Sequence, residues 1–135
     1  MKSPVLVEGY SSDEILAFPF EQIEALVLTS EPILFKVGSA QILGEFAIEQ
    51  DKLVVALAQI EGGGEGVLTT LWVLAERLAR QRDLNQVEWV VHAINCAKPN
   101  PKLRPFLERR GFAIKNVPGH GEAYHLVKTL NNKNL

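Results

Sequence analysis

Lys52-Leu53-Val54-Val55-Ala56-Leu57-Ala58-Gln59-Ile60-Glu61-Gly62-Gly63-Gly64-Glu65-Gly66, followed by an apolar-striped run from Val67 to Arg82, decides the fold of this 135-residue chain. The first part, Leu53 to Ile60, is apolar on both faces and reads as a buried strand. The glycines make a loop. Val67, Leu68, Leu71, Trp72, Ala75, Leu78 and Ala79 then recur at helical spacing, with Thr69, Thr70, Glu76, Arg77 and Arg80 on the other face. Strand, glycine loop and helix in that order leave backbone N–H groups and a helix N-terminus at the end of a strand. Such an arrangement suits an anion. A phosphate-bearing cofactor is the first hypothesis.

Working outward, Val87 to Ile94 is a second strand, apolar apart from Glu88 and His92. Two buried strands joined through a helix form a parallel βαβ unit, right-handed by strong precedent. Upstream, Ile33 to Val37 and Gln41 to Gln50 read as strands, separated by Gly38-Ser39 and closed by a tight turn at Asp51-Lys52. Short turns between consecutive strands predict an antiparallel meander. The third meander strand should be central and covered on both sides. Val5-Leu6-Val7 is a short strand, and Ser11-Ser12-Asp13-Glu14 offers N-cap chemistry for a short helix. Pro19 interrupts that pattern before Phe20 to Leu28 resumes it, with Phe20, Ile23 and Val27 on one face.

Downstream, Asn100-Pro101 supplies an N-cap residue and a first-turn proline. Leu103, Phe106 and Leu107 form the apolar stripe of a short helix. Gly111 sits where a left-handed residue closes a helix, and Phe112 can pack back on Leu107 in a Schellman cap. Ala113 to Val117 and Glu122 to Lys128 are strands around the turn Pro118-Gly119-His120-Gly121, and Asn131 to Leu135 is a polar tail.

The whole chain, 1–135, reads as one domain. Hydrophobic residues make up 47% and charged residues 22%, and the formal net charge is −2, with no basic stripe of the kind nucleic-acid binders carry. Lys102, Arg104, Arg109 and Arg110 are a solvated helix face. The single cysteine, Cys96, excludes an intrachain disulfide. No apolar run approaches the ~20 residues that span a bilayer. Met1-Lys2-Ser3-Pro4 lacks a signal-peptide core. The expectation is a cytoplasmic protein that binds neither membrane nor nucleic acid.

Two familiar phosphate loops fail on residues. A Walker loop ends in Gly-Lys-Ser/Thr, and here Gly66-Val67-Leu68 stands instead. A Rossmann loop needs G-x-G-x-x-G/A early in a parallel sheet, whereas Gly66 follows Gly64 after one residue and a meander precedes it. Gln59-Ile60-Glu61-Gly62-Gly63-Gly64 resembles instead the Gln/Arg-x-x-Gly-x-Gly/Ala motif of the GNAT acetyltransferase superfamily. That motif joins the fourth strand to the long helix and cradles the coenzyme A pyrophosphate. Asn100 to Phe112 resembles the family's later segment, Asn-x-x-Ala-x-x-Leu-Tyr-Glu-Lys-x-Gly-Phe, with Asn100, Glu108, Gly111 and Phe112 matching outright. The two matches and the element order cover roughly residues 31 to 128.

The resemblance implies a GNAT-like α/β fold: a mixed sheet with an antiparallel meander, one βαβ crossover at the glycine loop, and a C-terminal hairpin. It implies acetyl-CoA as cosubstrate, held by Gln59, Ile60, Gly62, Gly63, Gly64, Gly66 and Asn100, and acyl transfer to an amine by direct attack on the thioester. Backbone N–H of the third meander strand would polarise the thioester carbonyl. The motif can also be read two residues later, with Glu61 in the Gln/Arg position and Gly64-Glu65-Gly66 in the loop.

The departures from the pattern are specific. The family's tyrosine, often the acid that protonates the leaving thiolate, falls on Leu107, and the strand position of the family's glutamate base is apolar from Leu53 to Ala58. Glu61 and Glu65 stand where relatives tend to carry basic residues. At ~6 Å and an effective dielectric of about 20, each carboxylate would oppose a pyrophosphate by a few kcal/mol before screening. These features favour a rival reading: a catalytically degenerate GNAT-fold module for binding or dimerisation, with a homodimer left open.

Of the remaining residues, Glu45 is the one candidate base. It lies with Glu49 on a strand whose residues in relatives approach the acceptor, against the simpler reading of a solvated face. Cys96 and His92 read as buried residues, His92 hydrogen-bonded in the core. His120 reads as exposed. The three histidines lack metal-ligand spacing, so no metal is expected. Trp72 and Trp89 read as core.

Overall fold

Residues 5–8, 14, 17–28, 32–37, 40–61, 67–92 and 103–130 are described by a computed structural model. The elements run β1 (Val5–Glu8), α1 (Phe20–Val27), β2 (Ile33–Val37), β3 (Ala40–Glu49), β4 (Lys52–Glu61), α2 (Val67–Gln81), β5 (Gln86–Val91), α3 (Leu103–Arg109), β6 (Ala113–Val117) and β7 (Gly121–Thr129). They form one seven-stranded sheet in the order β1-β2-β3-β4-β5-β7-β6. The doubly apolar β4 is the middle strand, as its sequence predicts. The β2–β3–β4 meander is antiparallel, β4 and β5 are parallel through α2, and β6 and β7 form the terminal hairpin. The structure adds a second parallel pair, β1 with β2, joined across α1. The proposed helix from Ser11 falls largely outside the described residues.

Strand directions explain where the helices go. The β1-to-β2, β4-to-β5 and β5-to-β6 connections all link parallel strands and all step the same way across the sheet. Right-handed crossovers of one direction put their helices on one face. The core agrees: Ile23 of α1, Leu71, Leu74, Ala75 and Leu78 of α2 and Leu107 of α3 pack in one cluster with Phe35, Leu53, Val55, Leu57, Val87, Trp89 and Val91 of the sheet. Strand alternation sends the intervening residues Lys52, Val54, Ala56, Glu88 and Val90 to the opposite face. Among the described residues no helix packs there; a small cluster of Val90, Val117 and Ala123, with Ala56 against it, is its apolar part.

Two helices end in the same hydrogen-bond pattern with different residues. After α3, Gly111 N–H donates to Glu108 C=O and Phe112 N–H to Leu107 C=O, with Gly111 at φ +95°. This is the Schellman cap read from the sequence, and it places Leu107 (1% exposed) and Phe112 in the core. After α2, Asp83 N–H donates to Arg80 C=O and Leu84 N–H to Ala79 C=O, but the left-handed residue is Asp83, φ 57°. The β3–β4 turn differs from expectation by one residue: Glu49 pairs with Lys52, so the loop is Gln50-Asp51, with Gln50 at φ 56°. Lys52 is drawn into the strand, where its ammonium meets Glu88 on β5. The last hairpin turns on Pro118-Gly119, closed by His120 N–H to Val117 C=O at 2.9 Å with Gly119 at φ +82°. Proline then glycine is what a type II turn requires.

Trp72 corrects a sequence reading. It is only partly buried, because it lies at the edge of the α2 interface. Its ring stacks on buried Trp89 at 4.8 Å between centroids, and the Arg110 guanidinium covers it at 4.7 Å.

Candidate functional site

The site is built where the described pairing of β4 with β5 ends. The β4–β5 register begins at Lys52↔Gln86 and its last pair is Leu57↔Val91. One further bond, His92 N–H to Leu57 C=O at 2.8 Å, closes it. β4 nevertheless continues to Glu61, four residues beyond Leu57. On its other side it stays paired with β3, but not evenly. Leu43 opposes Ala58 and Gln41 opposes Glu61, so β4 carries one residue more than β3 over this interval. Such a bulge sharpens twist and turns backbone groups out of the ladder. Gln59 and Ile60 lie within it. Beyond the bulge Glu61 is again paired with Gln41, and α2 starts at Val67, after the glycine-rich residues 62–66.

The fate of each expected site residue follows from that placement. Gln59 and Ile60 belong to the bulged end of β4, and their backbone is described. Gly62, Gly63, Gly64, Gly66 and Asn100, with Glu65 and Cys96, lie outside the described residues, as do residues 93–100 generally. Both registers of the motif therefore remain open. Glu45 is exposed on β3, opposite Ala56 of β4, on the helix-free face. It shares that face with Glu49, as a solvated strand face would have it. Leu107 is buried against the sheet. A hydroxyl at that position would have to displace core contacts.

His92 does not sit in the core. It is half-buried just past the last described β4–β5 pair, and its ring lies 6.0 Å from that of His120, on the exposed β6–β7 turn. Partial burial, and then the neighbouring His120, hold its pKa below the ordinary 6.5. Farther down the same face, Glu88 (14% exposed) receives Lys52 Nζ at 2.6 Å and pairs with His125 Nε2 at 2.8 Å. Burial raises the pKa of Glu88, but the hydrogen bonds from Lys52 and His125 outweigh it and leave the pKa below 4.5. Neither group was read as functional from the sequence. The available signal is their position: two polar side chains four residues apart in an otherwise apolar run.

No protein-family model matches the chain, and no curated protein does. Solved structures do. PaiA N-acetyltransferase from Thermoplasma acidophilum in complex with coenzyme A is 18% identical, over 64% of this chain and 51% of that one, with a TM-score of 0.39. A chain of the NatC complex bound to Gag peptide and coenzyme A is 14% identical over 68% and 61%, TM-score 0.40. Ard1 from Thermoplasma volcanium is 14% identical over 93% and 83%, TM-score 0.45. The chain thus spans about half of the PaiA chain and 61% of the NatC chain. Overlaps this loose add nothing to what the strand pairing establishes. On its own strand order and pairing, the chain has the mixed α/β sheet expected of it: an antiparallel meander, a crossover into a parallel strand, and a terminal hairpin.

Proposed function

We propose that the protein binds acetyl-CoA at the β4–α2 loop and transfers the acetyl group to an amine. One observation carries this reading: β4 goes on past its last described pair with β5, bulges against β3, and is followed within five glycine-rich residues by a helix. Backbone N–H groups released at a bulge and at a helix N-terminus fit a pyrophosphate without needing a basic side chain. That matters here because Glu61 and Glu65 supply none. Gly62 to Gly66 would hold the pyrophosphate, and the end of β4 would present N–H groups to the thioester carbonyl. The amine lone pair attacks that carbonyl, the C–N bond forms, the C–S bond breaks, and the amine proton ends on the departing sulfur.

Leu107 favours a second reading, a non-catalytic binding module on the same fold. A buried leucine cannot protonate a thiolate, and the Schellman cap fixes it in the core. A thermal shift with acetyl-CoA tests the shared part of both readings. Ligand at 100 times its dissociation constant should stabilise the protein by about 2.7 kcal/mol. Thioester consumption with a panel of amines then separates enzyme from module.

A further inference from the structure

We propose that His92 is the general base that takes the proton from the acceptor ammonium. The inference rests on the acyl-transfer reading above and extends it to a residue. His92 is the first residue after β5, and its N–H makes the closing bond between the two parallel strands. Alternation puts it on the helix-free face with Glu88 and Val90. It therefore stands where the described pairing of β4 with β5 ends, while β4 goes on paired with β3 alone. The β6–β7 turn brings His120 over it, so an acceptor reaching it from that side meets two imidazoles and no fixed cation among the groups described beside them. The titratable groups sharing the face are His120 from the turn, His125 of β7, Glu88 of β5, Lys52 of β4, Glu45 and Glu49 of β3, Lys36 of β2 and Lys115 of β6. Lys52 and His125 are engaged with Glu88. Glu45 is exposed. Partial burial and His120 both disfavour a charged His92, so the ring is neutral at pH 7, the form a base needs.

The chemistry balances without a further reactant. The acceptor arrives as an ammonium, and the His92 ring accepts one of its protons. The neutral nitrogen then attacks the thioester carbon. The second proton leaves nitrogen as the amide forms, coenzyme A departs as the thiol, and His92 returns its proton to solvent.

The test compares wild type with His92→Gln, using acetyl-CoA and two probe nucleophiles. Glycinamide is protonated at pH 7 and needs a base, whereas hydroxylamine is already neutral there. We expect His92→Gln to lose at least ~10²-fold in kcat/KM with glycinamide and far less with hydroxylamine. Acetyl-CoA affinity by calorimetry should be unchanged. In wild type the low-pH limb of the glycinamide profile should follow the His92 ring titration measured by NMR without ligand, and both should move upward in His120→Gln. Equal loss with both nucleophiles at unchanged affinity would overturn the base and leave a positioning or structural role. Unchanged glycinamide turnover would overturn it outright. Absence of acetyl-CoA binding in wild type would instead overturn the acyl-transfer reading, and this inference with it.

Discussion

The two faces of the sheet are built from the same strands and do opposite work. On β4, Leu53, Val55 and Leu57 enter a core closed by three helices, while Lys52, Val54 and Ala56 between them look onto a face with no helix among the described residues. On β5, Val87, Trp89 and Val91 face the helices, and Glu88 and His92 face away. Burial on the covered face fixes the strand order and the parallel β4–β5 junction. The open face carries Glu88 with Lys52 and His125, while on the covered side the ion pair bridges helix and sheet, Lys128 of β7 to Glu76 of α2 at 2.6 Å. A sheet whose crossovers all step one way leaves one face free for chemistry, at the cost of one face's worth of apolar burial.

That contrast breaks most visibly at Leu57 and Ala56, adjacent residues of one strand. Leu57→Ala removes a side chain that is 1% exposed and should cost about 2–5 kcal/mol of unfolding free energy in urea. Ala56→Ser should change it by less than about 1 kcal/mol. Comparable losses would mean the second face is as closed as the first. Leu107→Tyr should cost about 1–3 kcal/mol by overpacking, without raising turnover, because the cap holds position 107 in the core. A rise in turnover at full stability would show that the helix can turn a hydroxyl toward the site.

The charged cluster sharpens the comparison through pH. Glu88 is lowered by its partners, so its contribution is present above its unfolded value near 4.5 and is lost as pH falls through the lower folded value. Glu88→Gln should cost about 1–2 kcal/mol at pH 7, from hydrogen bonds to a charged group that is partly solvated. The penalty should shrink as pH drops below about 4.5. His92 acts at higher pH. Its neutral form is favoured in the fold, so stability should decline as pH falls below 6.5, and His92→Gln should flatten that limb. The smallest effect belongs to the helix ends. Asp83 adopts φ 57° and places a negative charge at the negative end of α2. Asp83→Gly should raise stability by about 0.5–1 kcal/mol, measured by the denaturation midpoint. The same change gives no such gain at the other cap, where glycine already stands.

Much of the fold was legible because its signals are local. Doubly apolar β4, the helical stripe of α2, and Gly111 followed by Phe112 each carry their own period or turn chemistry. Position along the strand was less legible. Nothing near Lys52 in sequence announces Glu88, so the turn was read one residue late. The parallel pairing of β1 with β2 depends on contacts across the chain rather than on Val5-Leu6-Val7 itself. His92 reads as a core residue in sequence because the run around it, Val87 to Ile94, is otherwise apolar. Its half-burial follows from standing just past the last described β4–β5 pair, which periodicity does not encode. The cofactor residues Gly62 to Gly66 and Asn100 were legible as a motif alone.

The central claim is that the glycine loop after β4 binds acetyl-CoA through its backbone, and calorimetric titration of wild type and Gly64→Val tests it most directly. A valine at 64 puts a side chain where pyrophosphate must approach and disfavours positive φ. The account expects saturable binding by wild type and none by the variant, with both unfolding cooperatively. Equal affinity in the two proteins, or no binding by wild type, would contradict it.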